Sequence, residues 1–483
     1  MGLRQKTISG LIWTASGTLG NGIVSFFVTM ILARMLLPYH FALIELLIVF
    51  ISISNVIVDS GFSQAIIRDD NPSDTDLSSI FYFNITLAVI IYVLLFFAAP
   101  FISLFFRAPE LTMLSRIVFL VVIFNAFSII QNATLNRSLD FAAVSKSQVI
   151  GTFIAGVVSV TMAIANCGIW ALVANMVLQP FLRSILLWVQ SGWNPVLKFN
   201  IKSIRKYFGF GIFLMIQGIV DAVVSNIISL LIGKTYSKNE LGYYSQGNKL
   251  NSYVFTPSAS VIKKVTYPIL SKLKYDDEGL LKGYMQVIRL TLFAFVPISV
   301  FLMVAADNFV TFIFGEKWLP AGDYVAMFAI AGLFYPLQEI CINILLVKGK
   351  SKINLNISLC RQTLRILSVI LFIGKGVLPL TLAFIVAGTA GSIIFIYFGL
   401  KEIRYNFRQV IKNCKIIVLS ALGANALAVA VNHYLASSLS TSVVFLIQIF
   451  TMGTGYLLMC GVFKEKALFD AIHIIKPILY GSK

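Results

Sequence analysis

Residues 78–106 read SSIFYFNITLAVIIYVLLFFAAPFISLFF, an uncharged and mostly apolar stretch long enough to cross a lipid bilayer as one helix. Similar stretches recur along most of the chain. A spanning helix needs about 20 mostly apolar residues, and by this rule we predict about fourteen spans. Their limits are 9–33, 41–64, 78–106, 111–135, 143–165, 168–190, 208–232, 240–271, 280–306, 322–347, 353–373, 377–400, 413–436 and 440–463.

The composition of the whole chain agrees with this pattern. Of 483 residues, 58% are hydrophobic and 12% are charged, and the mean hydropathy is +0.89. A soluble domain carries about 25% charged residues, so a water-soluble fold is excluded. Disorder would need the opposite composition. We therefore predict an all-α, polytopic membrane protein.

The net charge of +18 is explained by membrane topology. Lys and Arg hold loops on the cytoplasmic side of a membrane. With a cytoplasmic N-terminus, the predicted inner segments carry about four times as many cations as the outer segments, as the positive-inside rule requires. We predict that both termini are cytoplasmic, and the charge gives no indication of nucleic-acid binding.

Cysteine and histidine give no sign of a metal or cofactor site. The five cysteines form no CxxC pair, and the three histidines are far apart in sequence. No phosphate-binding loop of the G-x-x-x-x-G-K type is present, so ATP hydrolysis is not expected. We expect no cofactor, which leaves coupling to a proton or sodium gradient open.

The chain divides into two related halves. The end of the first predicted span, Ala33-Arg34, is matched 200 residues later by Gly233-Lys234. An even number of helices in each half makes such a repeat parallel. We predict an N-terminal lobe at 1–190, a cytoplasmic linker at 191–207, a C-terminal lobe at 208–400, and two extra helices with a cytoplasmic tail at 401–483.

Polar residues concentrate in the first two spans of each half. Examples that recur below are Asn21, Asn55, Asp59, Asp221, Tyr243, Tyr244 and Tyr253. Polar side chains at membrane depth usually face protein or water, so we predict a central hydrophilic cavity. For single Ser and Thr residues, hydrogen bonding between helices is the alternative. Segment 240–271 is polar throughout, which favours a cavity there.

Cations outnumber acids at membrane depth. Lys249, Arg289, Arg361 and Arg365 all fall within predicted spans. Arg361 and Glu339 come out at similar depth, so structural pairing and functional use both remain open. The surplus suits an anionic substrate and phosphate most directly, because Arg offers bidentate contacts and Lys a point charge.

Four stretches carry a family resemblance. They are Gly10–Trp13 continuing to Ala33–Pro38, Asp59–Arg68, Gly242–Lys249 with Tyr267–Lys272, and Phe314–Trp318. In order and spacing the chain resembles bacterial polysaccharide flippases of the multidrug/oligosaccharidyl-lipid/polysaccharide exporter superfamily, close to the colanic-acid exporters. Ala42 stands where that family usually has glycine.

The resemblance implies two six-helix lobes around a central cavity in the bacterial cytoplasmic (inner) membrane. It implies movement of an undecaprenyl-pyrophosphate-linked oligosaccharide to the outer leaflet, for lipopolysaccharide O-antigen or exopolysaccharide assembly. Membrane lipids and a polysaccharide polymerase are the expected partners.

Within the cavity, the resemblance implies the role of the cations, whereas the sugar contacts and coupling carboxylates are our own interpretation of the polar residues. Cavity cations would hold the pyrophosphate, and the candidates are Lys249, Arg34, Arg289, Arg361 and Arg365. The candidate sugar contacts are Asn21, Asn55, Tyr243, Tyr244 and Tyr253. Asp59 and Asp221 are the candidate coupling carboxylates.

Two other functions are alternatives to the flippase interpretation. A multidrug exporter of the same superfamily should carry unpaired acids, whereas this chain has surplus base. A membrane polysaccharide polymerase or glycosyltransferase should have sizeable outer loops, whereas the predicted ones are short. We therefore expect a transporter and no enzymatic activity.

Overall fold

The computed structural model of the chain describes residues 3–69, 71–271, 277–435 and 437–471. No strand occurs in these ranges, and the principal elements are helices. They are α1 (Leu3–Met35), α2 (Pro38–Asp59), α3 (Phe62–Arg68), α4 (Asp74–Phe106), α5 (Leu111–Val118), α6 (Leu120–Arg137), α7 (Phe141–Ile164), α8 (Trp170–Ser191), α9 (Ile201–Thr235), α10 (Lys238–Ser271), α11 (Asp277–Val304), α12 (Ala306–Phe314), α13 (Ala321–Val347), α14 (Ser351–Phe372), α15 (Val377–Glu402), α16 (Phe407–Leu435) and α17 (Thr441–Val462). Lys272, which ends one stretch of the resemblance, lies outside the described residues.

Thirteen helices in the described ranges are long and apolar enough to cross a membrane. The protein is thus an all-α, multi-pass membrane protein, and the predicted fold class is confirmed. The segment predicted at 240–271 does form a helix, α10, but it is the one predicted span outside the set of thirteen. Its polar composition explains this, and its crossing of the bilayer stays a prediction.

Two predicted spans are interrupted near their ends. The segment at 41–64 is divided by Ser60 and Gly61, which both have positive φ, so that α3 follows α2 in a new direction. The segment at 280–306 ends at Val304, and α12 begins at Ala306.

The chain forms two compact units, of which the first is Met1–Ser245. In it, α7 packs along α1 and α8, and α6 contacts α2, α4 and α8. Helix α9 packs on α2, α3 and α4. Capping defines the start of α4, where Ser73 Oγ accepts from the backbone N–H of Asp76 and Asp76 Oδ2 accepts from that of Ser73.

The second unit is Gln246–Lys483. Here α13 lies between α11 and α15, α14 packs on α15, and α16 pairs with α17. A buried apolar cluster joins α11, α13, α15, α16 and α17. The boundary between the units falls inside α10. The division at the 191–207 linker, which came from the repeat pattern, stays a prediction.

The segment that joins α8 to α9 is tied to α4. The backbone N–H of Val196 donates to Ser78 Oγ at 2.9 Å, and that of Asn200 donates to Ser79 Oγ at 2.9 Å. Trp193 meets Phe81 edge-on. This linker is therefore a packed part of the first unit.

Candidate functional site

The inner end of α2 is a tight turn whose geometry is set by glycine. Gly61 has a φ of 73°, and a Cβ placed on it would lie 2.7 Å from the Cα of Gly211 on α9. Ser60 Oγ donates to the Met215 sulfur of the same helix at 3.7 Å. The turn can therefore lie directly against α9 only because both positions are glycine.

Asp59 is held by the start of α3. Its Oδ1 accepts from the backbone N–H of Ser63 at 3.2 Å and from the Ser63 hydroxyl at 2.5 Å. The first of these bonds satisfies one backbone N–H that the first turn of a helix leaves unpaired. The carboxylate predicted to couple transport is thus also a helix cap.

A polar cavity of about 260 Å³ opens beside Asp59. Its lining combines α2, the first turn of α3, α6 and α8, and includes Asn55, Asp59, Ser63, Asn125, Ser128, Asn132 and Arg183. Asn125 Nδ2 donates to Asn55 Oδ1 at 3.2 Å. We call this space the Asp59 cavity.

Arg183 brings a positive charge to the Asp59 cavity. Its Nε is buried without a hydrogen-bond partner. Its guanidinium and the Asp59 carboxylate line the same cavity without forming an ion pair within 4.0 Å among the described residues. Asn132 Oδ1 is also buried without a partner. The cavity therefore holds opposite charges that do not touch.

Asn21 lies in a different part of the first unit. Its Oδ1 accepts from the Thr152 hydroxyl at 2.6 Å, and Gln179 Nε2 donates to that same hydroxyl at 2.8 Å. This series of hydrogen bonds joins α1, α7 and α8. Asn21 thus bridges helices through hydrogen bonds, and its role as a sugar contact stays a prediction.

The remaining candidates of the first unit are spread along it. Arg34 is exposed near the end of α1, and Asp221 is exposed on α9. On α10, Tyr243 is half-buried and Tyr244 is buried.

In the second unit, α10 exposes Lys249. Tyr253, one turn further on, is half-buried. Helix α10 lies close to α13 at Gly247, where a Cβ would come within 2.6 Å of the Tyr324 Cβ. The ammonium group of Lys249 thus forms no ion pair with the acids whose side chains the structure describes, although α10 itself is packed against α13.

Arg361 and Arg365 of α14 lie against α15. Arg361 Nη1 donates to Gln338 Oε1 at 3.1 Å, and the Ser392 hydroxyl donates to that same oxygen at 2.5 Å. The Arg361 guanidinium lies 5.6 Å from the Phe395 ring, and that of Arg365 lies 5.0 Å from the Phe384 ring. These contacts give both arginines packing roles between helices.

Arg289 is half-buried on α11, and its Nε has no hydrogen-bond partner. Its charge acts on Tyr405 and Cys414, so it lies near the start of α16. Within the second unit, Lys249, the Arg361 and Arg365 pair, and Arg289 thus occupy three separate surroundings.

Of the candidate residues, the structure brings Asn55 and Asp59 into one cavity. Sequence reasoning missed Arg183, Asn125 and Asn132 as their neighbours. A signal was present, because Asn125, Ser128 and Asn132 recur at helical spacing along one predicted span. Assigning Arg183 to the same place required the packing of α6 on α8.

A family model described as "Polysaccharide biosynthesis protein" matches residues 31–323. The chain belongs to this family. The match includes the Asp59 cavity and all of α10. The family resemblance inferred from the sequence is therefore confirmed, and with it a part in polysaccharide biosynthesis.

Two relatives resemble this family member over most of their length. The teichuronic acid biosynthesis protein TuaB of Bacillus subtilis (strain 168) is 24% identical over 352 residues, which are 72% of this chain and 73% of TuaB. The lipopolysaccharide biosynthesis protein WzxC of Escherichia coli (strain K12) is 23% identical over 429 residues, which are 85% of this chain and 84% of WzxC.

Solved structures share the fold of this family member. The lipid II flippase MurJ, in an inward closed conformation, matches with a TM-score of 0.76 at 16% identity, covering 94% of this chain and 98% of MurJ. An inward-facing multidrug transporter of the MATE family matches with a TM-score of 0.62 at 12% identity, covering 83% of this chain and 99% of the transporter.

Within the described ranges, no three His, Cys, Asp or Glu residues form a group that could hold a metal ion.

Proposed function

We propose that the protein is a flippase that moves an undecaprenyl-pyrophosphate-linked oligosaccharide from the cytoplasmic to the outer leaflet by alternating access. Family membership is the observation that carries this proposal. The names of its relatives concern teichuronic acid and lipopolysaccharide, and the structure named for a lipid II flippase shares the fold.

The charge of the helices supports an anionic headgroup. Lys249 is exposed on α10, the one predicted span that is polar throughout. An ammonium group at membrane depth is costly unless it meets water or an anion. We therefore assign Lys249 to the pyrophosphate, and Tyr253, one turn away, to the attached sugar.

The other arginines are weaker candidates for the headgroup. Arg361 and Arg365 make packing contacts with neighbouring helices, and using them would cost those contacts. Asp59 and Asp221 stay in the proposal as carboxylates that couple transport to a proton or sodium gradient. A polymerase that receives the flipped substrate completes the proposal, with both termini in the cytoplasm.

The test uses purified protein in liposomes with a labelled undecaprenyl-pyrophosphate oligosaccharide that matches the host's own repeat unit. Wild type should move labelled headgroup to the opposite leaflet. Lys249→Ala should slow this movement by about tenfold or more, since a hydrogen bond to a charged group is worth about 1.5–3 kcal/mol. The matched control is Lys412→Ala, which removes an exposed lysine at the start of α16.

Each outcome bears on a different part of the proposal. Normal flipping by Lys249→Ala would remove Lys249 from the site and leave the flippase function intact. Failure of wild type to flip its own glycan would contradict the proposal and turn attention to drug export.

A further inference from the structure

The Asp59 cavity is a built polar site inside the first unit, separate from Lys249. Its volume of about 260 Å³ holds several water molecules, each of which takes roughly 30 Å³ in the liquid. Side chains from α2, α3, α6 and α8 converge on it. Such convergence of polar groups at membrane depth is the usual mark of a binding site.

Arg183 is the group that most needs a partner. A guanidinium cannot lose its proton in a protein, so its charge in the membrane must be compensated. Its Nε makes no hydrogen bond, and no ring contact or ion pair of Arg183 occurs among the described residues. By contrast, Arg116 of the same unit lies 4.5 Å from the Phe96 ring.

Asp59 is the other charged group of the cavity. Its Oδ1 is used by Ser63. Of the helices around it, α6 adds neutral Asn and Ser side chains to the lining, and α9 meets the adjacent turn with Gly211 and Met215. Helix α4 adds nothing to the lining, and Arg68 ends α3 on the exposed side. The ionic balance of the cavity therefore depends on Asp59 and Arg183.

A cavity at membrane depth favours a net charge of zero. With Asp59 ionised, the charges of the carboxylate and the guanidinium balance each other across the cavity. Once Asp59 binds a proton, the charge of Arg183 remains and one negative charge must enter. The donors that could receive it are the Arg183 guanidinium and the amide of Asn132.

We propose that the Asp59 cavity binds one proton and one small monovalent anion together, the proton on Asp59 and the anion on Arg183. The charges balance in both states, because one positive and one negative charge enter at once. The site does not depend on the proposed flippase function. Its test requires no lipid-linked substrate, so the two can fail independently.

The experiment measures thermal unfolding of the full-length protein in detergent while chloride replaces gluconate, at about pH 5 and about pH 8. Ligand that binds only the folded state raises the unfolding temperature, and the titration gives an apparent Kd. Wild type should bind chloride more tightly at the lower pH. The limit set by linkage is about tenfold per pH unit.

Variants of Arg183 and Asp59 distinguish the contributions of the two charged side chains to chloride binding. Arg183→Gln should lose the chloride effect at every pH, whereas Arg183→Lys should keep a weaker effect with the same direction of pH dependence. Asp59→Asn keeps an oxygen that can cap α3, and it should bind chloride with the low-pH affinity at both pH values. The matched control, Arg116→Gln, should behave as wild type.

Three results would overturn the proposal. They are an absence of any chloride effect in folded wild type, an effect of equal size in Arg183→Gln, or a pH dependence that persists in Asp59→Asn. The first of these results would mean that only water lies between Asp59 and Arg183 in the cavity.

Discussion

Arg361 illustrates how one side chain shapes the helices around it. The aliphatic part of its side chain packs against α15 at Gly391, where an added Cβ would overlap the Arg361 Cγ. Arg365 crosses one turn earlier at Gly388, where a Cβ would lie 2.8 Å from Nε. The two glycines therefore make room for two arginines, and α14 and α15 can pack closely although one of them carries charge.

Replacing Gly391 with alanine should destabilise the second unit. The new methyl group forces Arg361 to move, and overpacking of this kind costs about 1–3 kcal/mol. We expect a lower unfolding temperature of the detergent-purified protein. Gly453→Ala on α17 is the control, because a Cβ there meets nothing within 4 Å. Equal stability of the two variants would show that Arg361 adapts at no cost.

Sequence reasoning at the residue scale identified charges but not their surroundings. The sequence identifies Arg361 as an intramembrane cation and leaves pairing with Glu339 open, and the structure adds contacts of its guanidinium with Gln338 and Phe395. Asn55 and Asp59 were predicted as a sugar contact and a coupling carboxylate; the structure places both on the lining of the Asp59 cavity, and these roles stay predictions. The sequence could not place Arg183 beside Asn55 and Asp59, because the depth of a residue along its own helix does not determine which neighbouring helix its side chain faces.

At the scale of elements, a charged cluster ties the start of α9 to the end of α3. Lys206 Nζ and the Tyr207 hydroxyl both donate to Asp69 Oδ2 at 2.6 Å. Arg137 Nε donates to the Asp69 carbonyl at 3.2 Å. Hydrogen bonds from Lys206 and Tyr207 lower the pKa of Asp69 to about 2. The cluster thereby connects α3, α6 and α9 on the side predicted to be cytoplasmic.

The pH dependence of this cluster follows from the lowered pKa of Asp69. An unfolded aspartate titrates near about 3.9. The stabilisation is therefore complete above about pH 4 and is lost as the pH falls towards about 2. Burial and the bond to Asp69 raise the pKa of Tyr207 to about 12, so its contribution is lost only above about pH 10.

We expect Asp69→Asn to loosen the start of α9 at neutral pH. Backbone amides of residues 201–207 should exchange hydrogen about two- to fivefold faster, because an exposed ion pair is worth at most about 1 kcal/mol. Wild type at about pH 2, after correction for intrinsic rates, should approach the same behaviour. Mass spectrometry reports the exchange, and Asp74→Asn, an exposed acid at the start of α4, is the control. Unchanged exchange in Asp69→Asn would contradict a role for the cluster.

Elements were predicted best where hydropathy alone decides them. The apolar run at 78–106 became α4, and its start at Asp74 follows the Ser73 capping box. The turn at Ser60 and Gly61 was missed, because the apolar residues that follow continue the helical pattern. It depends on the close approach of Gly211, which lies 150 residues away in the sequence.

At the scale of the whole molecule, α10 decides the membrane topology. Thirteen apolar helices would place the termini on opposite sides, whereas a crossing by α10 makes fourteen and places both in the cytoplasm. Hydropathy cannot settle this, because a polar helix crosses a membrane only when other protein or water surrounds it. The loops before and after α10 must therefore be located by experiment.

Native Cys167 provides the reference for that experiment. It is exposed in the turn between α7 and α8, which we predict to be outside. Cys341, Cys414 and Cys460 are buried, and Cys360 lies within the α14 span. A membrane-impermeant maleimide applied to right-side-out vesicles should therefore label wild type at Cys167. Cys167→Ser should abolish the labelling.

Glu316→Cys in the Cys167→Ser background then tests α10. Glu316 is exposed between α12 and α13, after α10 in the chain. If α10 crosses the bilayer, this cysteine is labelled from the same side as Cys167. If α10 stays on one side, Glu316→Cys is labelled only in inverted vesicles, and Lys249 loses its place at membrane depth. Since the proposed headgroup contact needs Lys249 at that depth, the labelling pattern also determines whether the pyrophosphate assignment can stand.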